Sequence, residues 1–373
     1  MRIGVMLRSI DEKGGVGVYT RNIIKELLEL DRHNEYILMY RNPASMGRFS
    51  DRDNVNERLV RASNKAVWDQ LAVPAACRSE NTDVVFHPKF TVPLLSPCPA
   101  VMVVHGADWL IPEQAQYYPA WDVRYMKAIL PLYIKKSAAV ISVSQETTDN
   151  FNRLLDLPDG KVRTIYFAPA RHFARVTDRT ALDTVRIRYQ LPHRFIFTLT
   201  KPKGDTRKNF GRIVKAYALY HQSTDAPRKL VVGGRDLDQL KEIYDIPSDG
   251  YGLDIHFPGW IDQADMPAVY SQADLFLYPS NLEAFPIPLT EAMSCGTPIL
   301  TSNVNGLLEI AGNAADLVDP ADPSAICRGM TRILDDPERS ARLSEEGLAR
   351  AHRYSWDTCA RKTLGLLEQV AAG

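Results

Sequence analysis

The chain is poor in cysteine, has no long apolar run and carries no excess charge of either sign, and each shortage removes a class of protein. Its five cysteines, at 77, 98, 295, 327 and 359, are odd in number and contain no Cys-x-x-Cys pair. A disulfide framework or zinc site is thereby disfavoured, and buried thiols in a reducing cytosol are the expected state. No stretch is charge-free over a bilayer's length, and the apolar run after Met1-Arg2 is too short for a signal peptide. A cytoplasmic protein is expected. Lys plus Arg and Asp plus Glu both number 45, so no global field draws the protein to nucleic acid. Short-period repeats and low-complexity segments are missing as well.

What is present reads as an ordinary globular protein of two domains. The 373 residues exceed what one core usually serves, and 45% are apolar against 24% charged. Short β-rich runs alternate with amphipathic helical stretches. Strands are expected at Ile3–Leu7, Tyr36–Tyr40, Asp83–His87, Ala100–His105 and Ala139–Val143 in the first half. In the second half they are expected at Phe195–Thr200, Lys229–Val232, Asp254–Phe257, Asp274–Tyr278, Pro298–Thr301 and Asp316–Val318. Helices fit Val16–Leu30, Thr147–Leu155, Asn209–Tyr220 and Asp322–Leu334, the last with Asp322 as its cap and Pro323 at its first position. Such alternation implies α/β domains, each a doubly wound parallel sheet covered on both faces. It stalls after Ala168-Pro169-Ala170, which divides the chain into a domain over 1–170, a linker over 171–192 and a domain over 193–353. Residues 354–373 form a final helix expected to pack back toward the first domain. Paired sheets of this kind bind ligands at the carboxyl ends of their strands.

Three segments carry chemistry. After the strand ending at Tyr278 comes Pro279-Ser280-Asn281-Leu282-Glu283-Ala284-Phe285-Pro286-Ile287-Pro288-Leu289-Thr290-Glu291-Ala292-Met293-Ser294-Cys295-Gly296-Thr297-Pro298. Pro288 suits the first position of a short helix and Gly296 its stop, so the helix is expected to offer free amides to an anion. Glu291 in its first or second turn would accept from a ribose diol, and Glu283 in the loop would reach a sugar or its leaving phosphate. The second segment, Lys201-Pro202-Lys203-Gly204-Asp205-Thr206-Arg207-Lys208, places two cations at an expected helix start, capped by Asp205 or Thr206. Cations oppose the helix dipole there, which points to a bound anion. The third, Lys13-Gly14-Gly15-Val16-Gly17, joins the first strand to the first helix and permits close backbone approach, without being a G-x-G-x-x-G fingerprint.

With Glu283-x7-Glu291 followed by Ala292-Met293-x-x-Gly296-x-Pro298, the chain resembles the retaining GT-B glycosyltransferases, the family of sucrose synthases and many bacterial mannosyl- and glucosyltransferases. The likeness extends through Thr301–Gly312 and Val318-Asp319-Pro320, and back over Phe257–Trp260 and Ala273–Ser280. It implies two Rossmann-like domains facing across a cleft, and transfer of a hexose from a GDP-mannose or UDP-glucose type donor to a sugar or lipid-linked glycan. Catalytic roles would fall to Glu283, Lys208, Arg207 and His105, with Lys208 and Arg207 on the donor diphosphate and His105 at the donor sugar. Donor contacts would come from Glu291, from Phe285, Pro286, Ile287, Pro288, Leu289 and Thr290, and from Gly233, Gly234 and Lys201. Gly233-Gly234-Arg235-Asp236 would lie near the nucleotide and Pro258-Gly259-Trp260-Ile261 near its base. Gly15, Val16 and Gly17 would hold phosphate or acceptor.

No cofactor and no metal are implied: the histidines lack metal-ligand spacing, and helix dipole plus cations suffice for a leaving diphosphate. The family usually has Gly where Ala284 and Pro286 stand and Asp where Gly106 follows His105, which leaves the donor sugar and the role of Asp108 open. Two other readings remain, a GT-B epimerase and a non-catalytic sugar-nucleotide or glycan-binding subunit. Finally, Trp109–Lys136 combines aromatics with Arg124, Lys127, Lys135 and Lys136, a pattern that either packs a core or rests on the inner face of a membrane.

Overall fold

A computed structural model describes residues 1–12, 14–201, 206–234, 237, 240 and 253–373. It divides into two compact units, one of Met1–Ala168 with Ser355–Gly373 and one of Pro169–Tyr354. Residues 171–192 lie within the second unit, where Asp178 caps the helix Arg179–Tyr189 by accepting from the Thr180 amide at 3.0 Å.

The first unit is built on seven described parallel strands: β1 (Arg2–Met6), β2 (Glu35–Tyr40), β3 (Val55–Leu59), β4 (Val84–His87), β5 (Ala100–Val104), β6 (Ala139–Ser142) and β7 (Val162–Thr164). Their order is β3-β2-β1-β4-β5-β6-β7. Runs such as Ala100–Val104 are buried along their whole length because helices cover both faces of the sheet. The edge strand β3 reads Val-Asn-Glu-Arg-Leu, and with the short β7 it falls outside the strands expected from hydrophobic runs. Edges tolerate such polarity, since only one side of the strand is paired.

The second unit has six described parallel strands: β8 (Phe195–Leu199), β9 (Lys229–Gly233), β10 (Ile255–His256), β11 (Leu275–Tyr278), β12 (Ile299–Ser302) and β13 (Asp316–Val318), in the order β10-β9-β8-β11-β12-β13. Both sheets therefore wind outward in opposite directions from a central pair, β1 with β4 and β8 with β11. At such a switch point the connections leave to opposite sides and open a crevice beyond the strand ends.

Local chemistry agrees with these elements. Asp322 accepts from the Ser324 amide at 2.8 Å and Pro323 opens the helix Pro323–Leu334. Ser355 caps the final helix, Trp356–Ala372, whose Trp356 ring lies 5.8 Å from Tyr19 and 5.6 Å from Phe167 inside the first unit.

Candidate active site

In the second unit, the segments following β8 and β11 meet at the switch point. After β8 the chain forms a single tight turn, Thr206–Lys208, and the helix Phe210–Gln222 begins only beyond Asn209. Arg207 and Lys208 thus precede the helix rather than occupying its first turn. Asn209 is the reason: it sits in the left-handed region at φ 60°, which asparagine tolerates and which interrupts a helical run. Its buried side-chain amide donates to the carbonyls of Pro279 at 2.9 Å and Pro320 at 2.7 Å, tying the turn to the loop after β11.

That loop is fastened along its length. The Asn281 amide donates to the Arg207 carbonyl at 2.7 Å. Thr301 and Ser302, at the end of β12, donate from their hydroxyls to the carbonyls of Tyr278 at 2.8 Å and Ser280 at 2.6 Å. The Gly306 amide donates to the Glu283 carbonyl at 3.0 Å, and a Cβ at Gly306 would fall 2.2 Å from the Ala284 carbonyl oxygen. Glycine is required for that approach.

The fastening brings Lys208 and Glu283 together. The Lys208 ammonium is ion-paired with Glu283 Oε1 and donates to the Tyr278 hydroxyl. Tyr278 in turn donates to Glu283 at 3.0 Å, and the ammonium lies 4.6 Å from the centre of the Tyr278 ring. The paired side chains are only 13% and 15% exposed. Burial opposes the Lys208 charge, but the Glu283 carboxylate and Tyr278 outweigh it and raise its pKa, so Lys208 is a permanent cation. For the Tyr278 hydroxyl burial acts in the opposite sense and raises its pKa, as does the Glu283 charge, against the lowering by Lys208.

Glu291 belongs to the second turn of the helix Ile287–Ser294 and is 8% exposed. Burial pushes its carboxyl up to about 7 even though Tyr270 donates to it at 3.2 Å. The start of this helix differs from expectation. Pro288 is its second residue, preceded by Ile287, and Pro286 stands at the cap. Neither proline has an N–H, and the amides of Ile287, Leu289 and Thr290 donate to the carbonyls of Phe285 and Pro286 at 3.1, 3.0 and 3.4 Å. Those amides are therefore engaged by backbone instead of open to an anion, and Lys208 is a fixed cation at this edge. Of the neighbouring residues, Leu289 and Thr290 are buried, Phe285 packs edge-on to Tyr354 at 5.6 Å, and Ile287 and Pro288 are half-buried.

Lys201 is exposed just past β8. Gly233 ends β9, and Gly234, at φ 156°, passes so close to the Thr200 carbonyl that a Cβ would lie 2.3 Å from it. Trp260 is 48% exposed beside Gly259. Lys13, Pro202, Lys203, Gly204, Asp205, Arg235 and Asp236 lie outside the described residues.

The first unit repeats the arrangement at its own switch point. Glu12, after β1, pairs with Lys89, after β4, at 2.5 Å. Gly15 and Val16 open the helix Gly15–Leu30, and a Cβ at Gly17 would collide with the Glu12 carbonyl at 1.8 Å. His105, one residue beyond β5, places Nε2 3.0 Å from the Pro88 carbonyl and its ring 5.1 Å from Tyr19. Burial lowers its pKa to about 4, with the Pro88 carbonyl opposing, so the ring is neutral at pH 7. Asp108 is buried and accepts from Tyr118 at 2.5 Å. Its carboxylate fills the space a side chain at position 106 would need, since a Cβ there would lie 2.6 Å from Oδ1. Glycine follows His105 for that reason.

Sequence reading missed Tyr278, Tyr270 and Asn209. Tyr278 carried a usable signal, a hydroxyl at the carboxyl end of a strand that enters the motif loop; the other two depend on tertiary contacts. Among the described residues no three His, Cys, Asp or Glu side chains converge as a metal-ligand set, and no helix is long and apolar enough to cross a membrane.

Two units of the same winding, each with a lysine–glutamate pair at its switch point, define an α/β architecture built around two strand-end sites. The family model described as "Glycosyl transferases group 1" matches residues 183–350, and the one described as "Glycosyltransferase Family 4" matches residues 13–167. The chain belongs to the GT-B glycosyltransferase family. It is 29% identical over 282 residues to O-antigen chain mannosyltransferase B of Escherichia coli, across 70% of this chain and 73% of that one. It is 29% identical over 228 residues to the serotype-specific mannosyltransferase WbdA of Escherichia coli, and there the match spans 60% of this chain but only 28% of the relative. A sucrose-phosphate synthase from Thermosynechococcus elongatus shares the fold, with a TM-score of 0.77 at 19% identity over 100% of this chain and 99% of that one.

Proposed function

We propose that the chain transfers a hexose, with mannose from GDP-mannose the first candidate and UDP-glucose the second, to a glycan or lipid-linked acceptor with retention of configuration. The observation that carries this reading is the buried Lys208–Tyr278–Glu283 cluster at the second unit's switch point, with Glu291 one helix turn inside. Mannose is preferred because the relatives at 29% identity are mannosyltransferases.

In this reading the donor diphosphate takes the charge of Lys208, with Arg207 beside it, and the ribose hydroxyls bind Glu291, whose carboxyl near pH 7 both donates and accepts. Glu283 attends the donor sugar. The acceptor oxygen bonds to the anomeric carbon as the bond from that carbon to the phosphate oxygen breaks. The diphosphate leaves with the electron pair, and its oxygen takes the acceptor's proton on the same face. In that same-face transfer a dedicated base is not needed. Lys208 provides the electrostatic stabilisation without a metal or cofactor. The exposed Trp121, Tyr125 and Leu132 on the helix Ala120–Lys136, with Arg124 and Lys127 between them, support peripheral contact with an anionic membrane.

NMR of the product made from an α-linked nucleotide sugar tests the chemistry. An α-linkage is expected. A β-linkage refutes same-face transfer, and release of free or epimerised sugar with no acceptor product refutes the transferase reading.

A further inference from the structure

Three adjacent strands of the first unit each release an arginine at the same edge. Arg8 follows β1 by two residues, Arg41 follows β2 directly, and Arg61 follows β3 by two residues. The register aligns these ends, with Met6 opposite Met39 and Tyr40 opposite Leu59. The three arginines and Lys65 line a cavity of about 650 Å³ made entirely of first-unit residues. A volume of this order fits a small organic ligand and exceeds what a lone ion needs.

Arg8 is paired with Asp69, but the other three cations are not neutralised by their surroundings. Two acids reach the cavity, but both are engaged: Asp11 accepts from Ser45 and from Arg48 at 3.1 Å, and Glu12 pairs with Lys89. Among the described residues, Arg41, Arg61 and Lys65 have no ion pair or hydrogen bond. Arg8 is the most informative. Its side chain is nine-tenths buried, and it reaches Asp69 at 3.1 Å through Nη2, yet its Nε is buried with no partner. Held by Asp69, Arg8 is a fixed cation at the cavity wall.

We propose that this cavity binds a phosphate group on the acceptor, a phosphate or diphosphate ester next to the sugar that receives the transferred hexose. The word acceptor rests on the transferase reading above; the anion site itself rests on the arginines. Guanidinium forks from parallel strand ends suit phosphate oxygens. Leu7 and Pro43 supply an apolar wall on which the rest of the ligand lies.

The test is calorimetric titration of the full chain, pre-saturated with GDP or UDP to occupy the nucleotide site, with inorganic pyrophosphate, mannose 1-phosphate and farnesyl diphosphate. At least one of these is expected to bind at low salt and to weaken steeply with ionic strength. An R41Q/R61Q double variant is expected to lose at least tenfold in affinity while its binding of GDP or UDP is unchanged. Tighter binding of mannose 1-phosphate marks a soluble sugar phosphate as the source, and tighter binding of farnesyl diphosphate marks a lipid-linked one. No binding of any probe, or equal binding by the double variant, overturns the proposal. Loss of nucleotide binding in the wild type with pyrophosphate binding retained would instead overturn the transferase reading and leave the anion site standing.

Discussion

Replacing Glu291 by glutamine is expected to stabilise the ligand-free protein, and to do so only above mildly acidic pH. Glutamine keeps the shape and still accepts from Tyr270, so the change isolates the charge. The Glu291 carboxyl stands at about 7 when folded and near 4.5 when unfolded, burial being the cause. Below 4.5 it is protonated in both states and contributes no difference. Between 4.5 and 7 the unfolded carboxyl ionises while the buried one keeps its proton, so stability falls across that window and levels off above 7. At about 1.4 kcal/mol for each pH unit of the gap, the upper bound on the penalty is about 3.5 kcal/mol. For a domain of this size that corresponds to about 2–4 °C of Tm for each kcal/mol recovered. Thermal unfolding of wild type and E291Q at pH 5 and pH 8 measures it. Asp69, which burial pushes up to about 6, titrates in the same window but is common to both proteins and cancels in the difference. The expected result is a small gap in Tm at pH 5 and a larger one at pH 8, the variant being the more stable, with a smaller rise in Tm on adding GDP or UDP. A gap that does not change with pH, or a variant less stable at pH 8, would refute the burial argument.

Lys208→Met leaves the Glu283 carboxylate largely buried without its cation and is expected to cost on the order of 3 kcal/mol of stability; adding Glu283→Gln should recover part of that loss while transfer stays abolished, and a double variant no more stable than the single would show that the pair is not coupled. Transfer is expected to survive excess EDTA, read as product formed per hour; complete loss reversed by Mg²⁺ or Mn²⁺ would reveal a divalent-ion requirement. Trp121→Ser with Tyr125→Ser is expected to reduce sedimentation with anionic vesicles several-fold at unchanged Tm, and unchanged sedimentation would remove this helix face from membrane binding.

Strands with continuous apolar runs were legible in the sequence, because a parallel sheet buried on both faces needs them: Tyr36–Tyr40, Ala100–His105 and Asp274–Tyr278 were expected, and Glu35–Tyr40, Ala100–Val104 and Leu275–Tyr278 form, each within one residue at its ends. Val55–Leu59 was not, since an edge strand is free to carry Asn, Glu and Arg. The motif loop was legible from Glu283 to Glu291, whereas its partners were not. Periodicity says nothing about which hydroxyl meets a carboxylate, so Tyr278 with Glu283 and Tyr270 with Glu291 emerge only once the sheet is assembled. The start of the helix after β8 was misplaced because one asparagine in a left-handed conformation shifts it past Lys208. Helix polarity likewise suggested open amides at Ile287–Thr290, but two prolines and a tight turn consume them.

The Lys208–Glu283 pair gives the empty site an internal place-holder. An anion arriving at Lys208 finds the position occupied by a carboxylate on the same protein and must displace it, so the observed affinity is the difference between two ionic contacts. A small inorganic anion gains little by that exchange and is a poor competitor. If Lys208 holds the donor diphosphate as proposed, a nucleotide sugar has contacts elsewhere to offset the loss of the ion pair, whereas an inorganic anion has none, so the pair itself would discriminate between them.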